Sequence, residues 1–249
     1  MSGHSKWASI KRSKGKADAA RGKLFSRLIK EITVAAKLGG GDPEGNPRLR
    51  TAINTARNSN MPNKNIENAI LKGTGQIDGI SYEEATFEAY GPGGVAIVIE
   101  CLTDNRNRTV SEVRHAITKA GGNLGAANSV MWMFHSKGSI HVAREAADEE
   151  KLMEIALDAG ADDMTEAGSE FEITTSPEAF DKVKAAVEKA SIAVVSAELT
   201  KVPENTIKVT GENAARILKL INALDDLDDT QSVYSNFDIS DEDMKAFES

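Results

Sequence analysis

The sequence predicts an α+β protein: an N-terminal three-helix bundle followed by two ferredoxin-like α/β domains, one inserted in the other. Three observations predict it. Apolar residues recur with helical spacing through residues 24–73. From residue 82 onward, strand-like apolar runs alternate with amphipathic stretches. The order of those elements reads β-α-β, then a complete β-α-β-β-α-β set, then β-α-β again, so that one complete set interrupts another. The 249 residues, 40% of them hydrophobic and only 5% aromatic, allow two or three domains with cores built mainly of Ala, Val, Ile and Leu.

Residues 1–23 hold seven Lys or Arg, one acid (Asp18), and only Trp7 and Ile10 as large apolar side chains. Such a stretch cannot bury enough surface to fold alone and is expected to be a basic flexible arm. Residues 24–78 are expected to form the bundle. Leu24, Leu28 and Ile32 recur one turn apart, with Phe25, Ile29 and Ala36 beside them, until Gly39-Gly40-Gly41-Asp42-Pro43 ends the first helix. Asn46-Pro47 supplies an N-cap and a first-turn proline for a second helix carrying Leu49, Ile53 and Ala56 inward. Met61-Pro62 opens a third, with Ile66 and Ile70 a turn apart and Gly73 as its stop. Residues 74–80 read as a linker.

Residues 79–135 together with 205–249 are expected to make a discontinuous ferredoxin-like domain. It contains a strand over 82–90, a turn at Gly91–Gly94, and the nearly continuous apolar run 95–102 of a central strand. Thr109 and Glu112 match a capping box for a helix carrying Val113, Ile117 and Ala120, and 129–134 (SVMWMF) reads as the next strand. The domain resumes with a strand at 207–209, a helix over 212–224 and a strand over 231–237. The inserted ferredoxin-like domain, 136–204, has strands at 138–143, 163–166, 171–174 and 192–202 and helices at 148–160 and 177–190.

The net charge of −8 conceals a strong asymmetry. Residues 1–75 carry 15 Lys+Arg against 5 Asp+Glu, a net of +10, and the remainder carries −18. A basic head on an acidic body points to a polyanionic partner, nucleic acid, for the head. Lys6, Lys11, Arg12, Lys14, Lys16, Arg21 and Lys23 suit phosphate neutralisation with counterion release, Trp7 suits stacking on an unpaired base, and Arg48, Arg50 and Arg57 extend the set into the second helix. The competing reading is a solubilising tail with Trp7 packed on the bundle. Asn105, Arg106, Asn107 and Arg108 stand ahead of a helix start, where free N–H groups and guanidinium forks suit an anion or RNA. The alternative there is a local network with Asp104. Asp225-Asp226-Leu227-Asp228-Asp229 reads as a solvated acidic loop.

Other function classes find little support. A lone Cys101 excludes an internal disulfide and suits a reducing, cytoplasmic setting. No run approaches the roughly 20 apolar residues of a membrane span, and the start lacks an apolar leader core, so no membrane partner is expected. His4, His115, His135 and His141 show no metal-ligand spacing, and no metal or cofactor is expected. Gly91-Pro92-Gly93-Gly94 lacks the Lys-Ser/Thr of a phosphate loop and reads as a turn. Ser111, His115 and Asp104 come without a nucleophile elbow, leaving a small-molecule-binding enzyme as a remote alternative.

A set of local motifs also resembles the YebC family: GHSKW at 3–7, RGKLFSRLIKEI at 21–32, AAKLGGGDP at 35–43, NPRLR at 46–50, MPNKNIENAI at 61–70, YGPGGVAI at 90–97, TDNRNRTVSEVRH at 103–115 and GGNLG at 121–125. The resemblance spans nearly the whole chain. It implies three domains around a cleft and no catalytic residues. It also implies a divided function. Bacterial members are described as DNA-binding transcriptional regulators, a mitochondrial member activates translation of cytochrome c oxidase, and bacterial relatives are linked to rescue of ribosomes stalled on proline-rich sequences. The expectation is therefore a non-catalytic, nucleic-acid-binding regulator of gene expression. The arm's Lys, Gly and Ser content fits insertion into a crowded RNA site better than major-groove reading, and the resemblance implies that such ribosome association relieves translational stalling; the alternative is a sequence-specific DNA-binding transcription regulator.

Overall fold

Helical periodicity places a first helix, α1, over Ala17–Gly39 in the computed structural model, which describes residues 7, 17–240 and 247. The helix begins seven residues before the expected start, and Ala17, Ala19 and Ala20 there have the highest intrinsic helix propensity. Its inward stripe is Leu28, Ile32, Ala35 and Ala36; Leu24, expected inward, is 41% exposed. Asn46 caps α2 (Pro47–Asn58) by accepting from Leu49 N (3.1 Å), and its amide donates to Ala35 O (2.8 Å) and Gly40 O (2.9 Å), tying the end of α1 to the start of α2. α3 (Asn63–Gly73) closes the bundle over Leu49, Ile53, Ala56, Met61, Ile66 and Ala69. A Cβ on Gly73 would stand 2.3 Å from Thr33 O, so α1 and α3 meet there backbone to backbone.

Among the described residues, one compact unit takes 17–127 and 215–233, and the other takes 7, 128–214, 234–240 and 247. The first joins the bundle to a four-stranded sheet. β1 (Glu83–Tyr90) and β2 (Ala96–Thr103) form an antiparallel hairpin with Glu83 opposite Thr103 and Tyr90 opposite Ala96. Gly93 and Gly94 turn it at φ of 76° and 79°. Then come α4 (Arg106–Lys119) and β3 (Asn123–Leu124), which pairs with β1. Later in the chain α7 (Gly211–Asp225) leads to β9 (Thr230–Ser235), giving the order β3-β1-β2-β9. β2 is buried on both faces, as its apolar run requires, and Ile97, Ile99, Ile117, Ile217, Leu220 and Leu224 are fully buried.

The second unit contains the inserted domain. β4 (Phe134–Ala143), α5 (Glu149–Ala159), β5 (Ala161–Ala167), β6 (Glu170–Thr175), α6 (Phe180–Lys189) and β7 (Val194–Pro203) make an all-antiparallel sheet of order β5-β6-β4-β7. That is the ferredoxin-like arrangement. Its core is Ile140, Val142, Leu152, Ala156, Phe171, Ile173, Phe180, Val183 and Val187. β8 (Ile207–Lys208) and β10 (Phe237–Asp238) pair in parallel as a separate two-stranded sheet.

The protein is thus α+β, with an N-terminal three-helix bundle and one α/β unit inserted in the chain of another. Two further elements differ from expectation. Residues 129–133 are not strand: Met131–Met133 form a 3-10 turn with Trp132 62% exposed, and the place beside β1 belongs to residues 123–124. Apolar composition made SVMWMF resemble a strand, but composition does not supply a pairing partner. The cap of α4 is Asn105, not Thr109, which lies one turn inside the helix and is fully buried.

Candidate nucleic-acid interface

α1 carries Lys23, Arg27 and Lys30 one turn apart, so all three project from one side of the helix. They meet the acidic run that follows α7. Lys23 Nζ lies 2.9 Å from Asp226 Oδ1, Arg27 Nη2 donates to Asp225 Oδ1 (2.8 Å) and to its carbonyl, and Lys30 Nζ donates to Asp229 Oδ1 (2.8 Å) and Asp228 O (3.0 Å). The run read as a solvated loop is therefore the counter-charge of α1. Lys23, expected to face phosphate, is turned toward Asp226, although at 74% exposure of the acid this is a weak surface pair.

Asp229 is the centre of this arrangement, with 2% of its side chain exposed. Besides Lys30, its carboxylate accepts from Arg108 Nη2 (2.6 Å), Thr109 Oγ1 (2.7 Å) and Thr103 Oγ1 (3.1 Å), while its carbonyl accepts from Leu102 N (2.9 Å). Burial alone would push the carboxyl upward, but the donors Lys30, Arg108 and Thr109 outweigh it and hold the group down to about 2. Arg108 bridges Asp229 and Asp104 (2.7 Å), and both carboxylates raise its pKa. Asn105 accepts from Arg108 N (3.1 Å), and its own N–H donates to Thr103 Oγ1 (2.9 Å).

The loop 103–109 thus resolves its two readings residue by residue. Asn105 and Arg108, expected as anion contacts, belong to the local network, because a buried carboxylate nearby demands donors. Arg106 and Asn107 are exposed, and Arg106 has no ion pair among the described residues.

The remaining predicted contacts divide similarly. Arg48 grips Glu31 bidentately (2.7 and 3.0 Å) and reaches Glu84 (2.7 Å); these two acids raise its pKa and take up its donors, so it is a brace between α1, α2 and β1 rather than a free phosphate contact. Arg50 donates to Pro43 O (3.1 Å) and Glu44 O (3.3 Å) and stays exposed. Arg21 and Arg57 are exposed and pair with no acid among the described residues. Trp7 is 6% exposed and meets Phe247 edge to face, with ring centroids 5.6 Å apart, so stacking on a base would require leaving that contact. Lys6, Lys11, Arg12, Lys14 and Lys16 lie outside the described residues.

One constellation had no signal in the motifs. On β4 and β6, Ser139 Oγ lies 3.1 Å from His141 Nε2 and donates to Glu172 Oε1 (2.9 Å), while His141 Nδ1 faces Glu170 Oε2 at 3.0 Å. All but Glu170 are buried. The carboxylate only accepts, so the single hydroxyl proton goes to Glu172, and the serine oxygen is left to accept from Nε2–H. A nucleophilic serine needs the opposite polarity, with Nε2 accepting. The group is a polar bridge across two strands. The imagined alternative, Ser111 with His115 and Asp104, is not assembled either: Ser111 donates to Asn107 O (2.8 Å) and Asp104 holds Arg108. Cys101 is buried, its thiol pushed up to about 11 by desolvation. Among the described residues no three potential metal ligands converge, and no helix is long and apolar enough to cross a membrane.

Comparison with known proteins places these features in a lineage. Residues 5–76 match the TACO1/YebC protein N-terminal domain, and residues 82–237 match the TACO1/YebC second and third domain. A "probable transcriptional regulatory protein" of Geobacter sulfurreducens is 56% identical over 245 residues, covering 98% of this chain and 99% of that one. A protein of the same description from Acidobacterium capsulatum is 57% identical, covering 96% and 97%. The crystal structure of a conserved hypothetical protein from Aquifex aeolicus superposes with a TM-score of 0.83 at 49% identity, covering 91% of this chain and 93% of the other.

Proposed function

The chain belongs to the TACO1/YebC family, and from that premise we propose that it is a non-catalytic, cytoplasmic regulator of gene expression that grips the sugar-phosphate backbone of ribosomal RNA through its basic N-terminal third and relieves translational stalling. The observation that carries the reading is the set of bundle cations left over after internal pairing. Arg21, Arg57, Lys64 and Lys72 are exposed and pair with no acid among the described residues, and five further Lys or Arg precede α1 in sequence. Unpaired cations at this density favour a polyanion without requiring base recognition. The names of the relatives favour a second reading, a DNA-binding transcriptional regulator.

Sedimentation of cell lysate through a sucrose gradient, across a salt series, separates the two. The intact chain is compared with one lacking residues 2–16, a deletion that ends before α1. Co-migration with ribosomes that needs the basic segment and weakens with salt is the expected result. Absence from ribosomes, together with protection of a defined promoter by the purified protein, would replace the RNA reading with the DNA reading.

A further inference from the structure

The body of the protein is acidic, yet α4 runs against that trend. Its 14 residues include Arg106, Arg108, Arg114 and Lys119 against a single acid, Glu112. One side of the helix is apolar and seated: Thr109, Val113 and Ile117 are fully buried. The other side carries Asn107, Ser111, Arg114, His115, Thr118 and Lys119, every one exposed. Helical spacing puts these six on one broad face about 20 Å long.

Three properties bear on what this helix can bind. First, the cations of its outward face are uncompensated: Arg114 and Lys119 pair with no acid among the described residues. Second, the first turn of α4 contains two arginines and no acid, the reverse of what the helix dipole favours. Arg108 is relieved by Asp104 and Asp229, and Arg106 is not. Third, the face has no exposed aromatic or large aliphatic side chain, and so lacks the apolar anchor around which protein–protein contacts concentrate their binding energy. It offers guanidinium, ammonium, amide, hydroxyl and imidazole groups, the set that contacts phosphate and sugar.

We propose that the outward face of α4, through Arg114, His115 and Lys119, is a second docking surface for an RNA phosphate backbone, separate in sequence from the basic N-terminal third. That the backbone is RNA rests on the function proposed above; that it is a phosphate backbone rests on the face itself.

The test uses the full chain carrying Arg114→Ala and Lys119→Ala together, and a bundle control carrying Arg57→Ala and Lys64→Ala. Each binds a fluorescein-labelled hairpin RNA, and a duplex DNA of matching sequence, in anisotropy titrations over a salt series. All four positions are exposed, and unchanged thermal melting of each variant verifies that folding is intact. The expected result is a several-fold to tenfold loss of RNA affinity for the α4 variant, with a salt slope shallower by about 1.4 to 1.8 for the two lost contacts. An α4 variant that matches the parent in affinity and slope, while the bundle control is weakened, overturns the α4 surface and leaves the proposed function standing. Failure of the parent to bind RNA overturns both, and a loss confined to duplex DNA reassigns the surface to DNA and overturns the RNA assignment.

Discussion

Replacing Asp229 by Asn removes one charge and almost no volume, and the structure sets the scale of its effect. The carboxylate is buried and collects four side-chain donors, two of them cationic. The amide retains one acceptor oxygen but leaves Lys30, whose side chain is 13% exposed, beside an uncharged partner. Stripping one member from a buried ion pair costs about 3–5 kcal/mol. Arg108 softens this, since it is 42% exposed and keeps Asp104, so the expected loss is about 2–3 kcal/mol. Titration gives a similar figure. The group is held at about 2 in the folded chain against an ordinary 3.8, a difference worth about 2 kcal/mol. Because the folded value is the lower one, this stability is fully present above pH 4 and disappears as pH falls through about 2. Urea unfolding followed by far-UV circular dichroism should therefore show a constant gap between parent and Asp229→Asn from pH 7 to pH 5, closing between pH 4 and pH 2. A gap under about 0.5 kcal/mol at pH 7 would refute the charge network as a source of stability. A gap undiminished at pH 2.5 would locate the effect in packing instead of charge.

Two other perturbations probe the rest of the fold. In the inserted domain, a Cβ on Gly138 would stand 2.3 Å from Thr175 Oγ1 and 2.5 Å from Phe180 Cδ2, so Gly138→Ala should destabilise that unit by about 1–3 kcal/mol, read as earlier loss of amide protection in β4 and β6 than in β1 and β2. Cys101 is buried and its thiol lies near 11, so at pH 8 the folded protein should react with a disulfide reagent at least about a hundredfold more slowly than the urea-unfolded chain; equal rates would contradict the placement of β2 in the core.

The parts of the fold that sequence made legible are those with a local physical cause. The Asn46-Pro47 start of α2, the apolar stripes of the bundle and the β-α-β-β-α-β order of the insertion each depend on neighbours within a few turns of chain. What sequence obscured depends on partners far away. Thr109 resembled an N-cap because Ser and Thr before a helical stretch usually are. It is instead an interior helix residue whose hydroxyl serves Asp229, 120 positions later. SVMWMF resembled a strand, but the place beside β1 is taken by Asn123 and Leu124.

The same distinction governs the candidate interface. Counting Lys and Arg along a chain measures charge, whereas binding a polyanion depends on charge that no acid has already met. Of the bundle's cations, Lys23, Arg27 and Lys30 are met by aspartates 198 to 203 positions away, and Arg48 by Glu31 and Glu84, so the α1 stripe and the α2 brace drop out of the set available to phosphate without drawing on a foreign partner. The acidic body is therefore not a uniform repellent. Part of its negative charge is consumed in holding α1 against the loop after α7. The unmatched cations of the two candidate surfaces, Arg21, Arg57, Lys64 and Lys72 in the bundle and Arg114 and Lys119 on α4, come from two separate stretches of sequence. If both stretches touch phosphate, the combined variant should lose about the sum of the two salt slopes, since log K falls with the number of phosphates neutralised. If one stretch carries all the binding, the combined slope will equal that of the single variant.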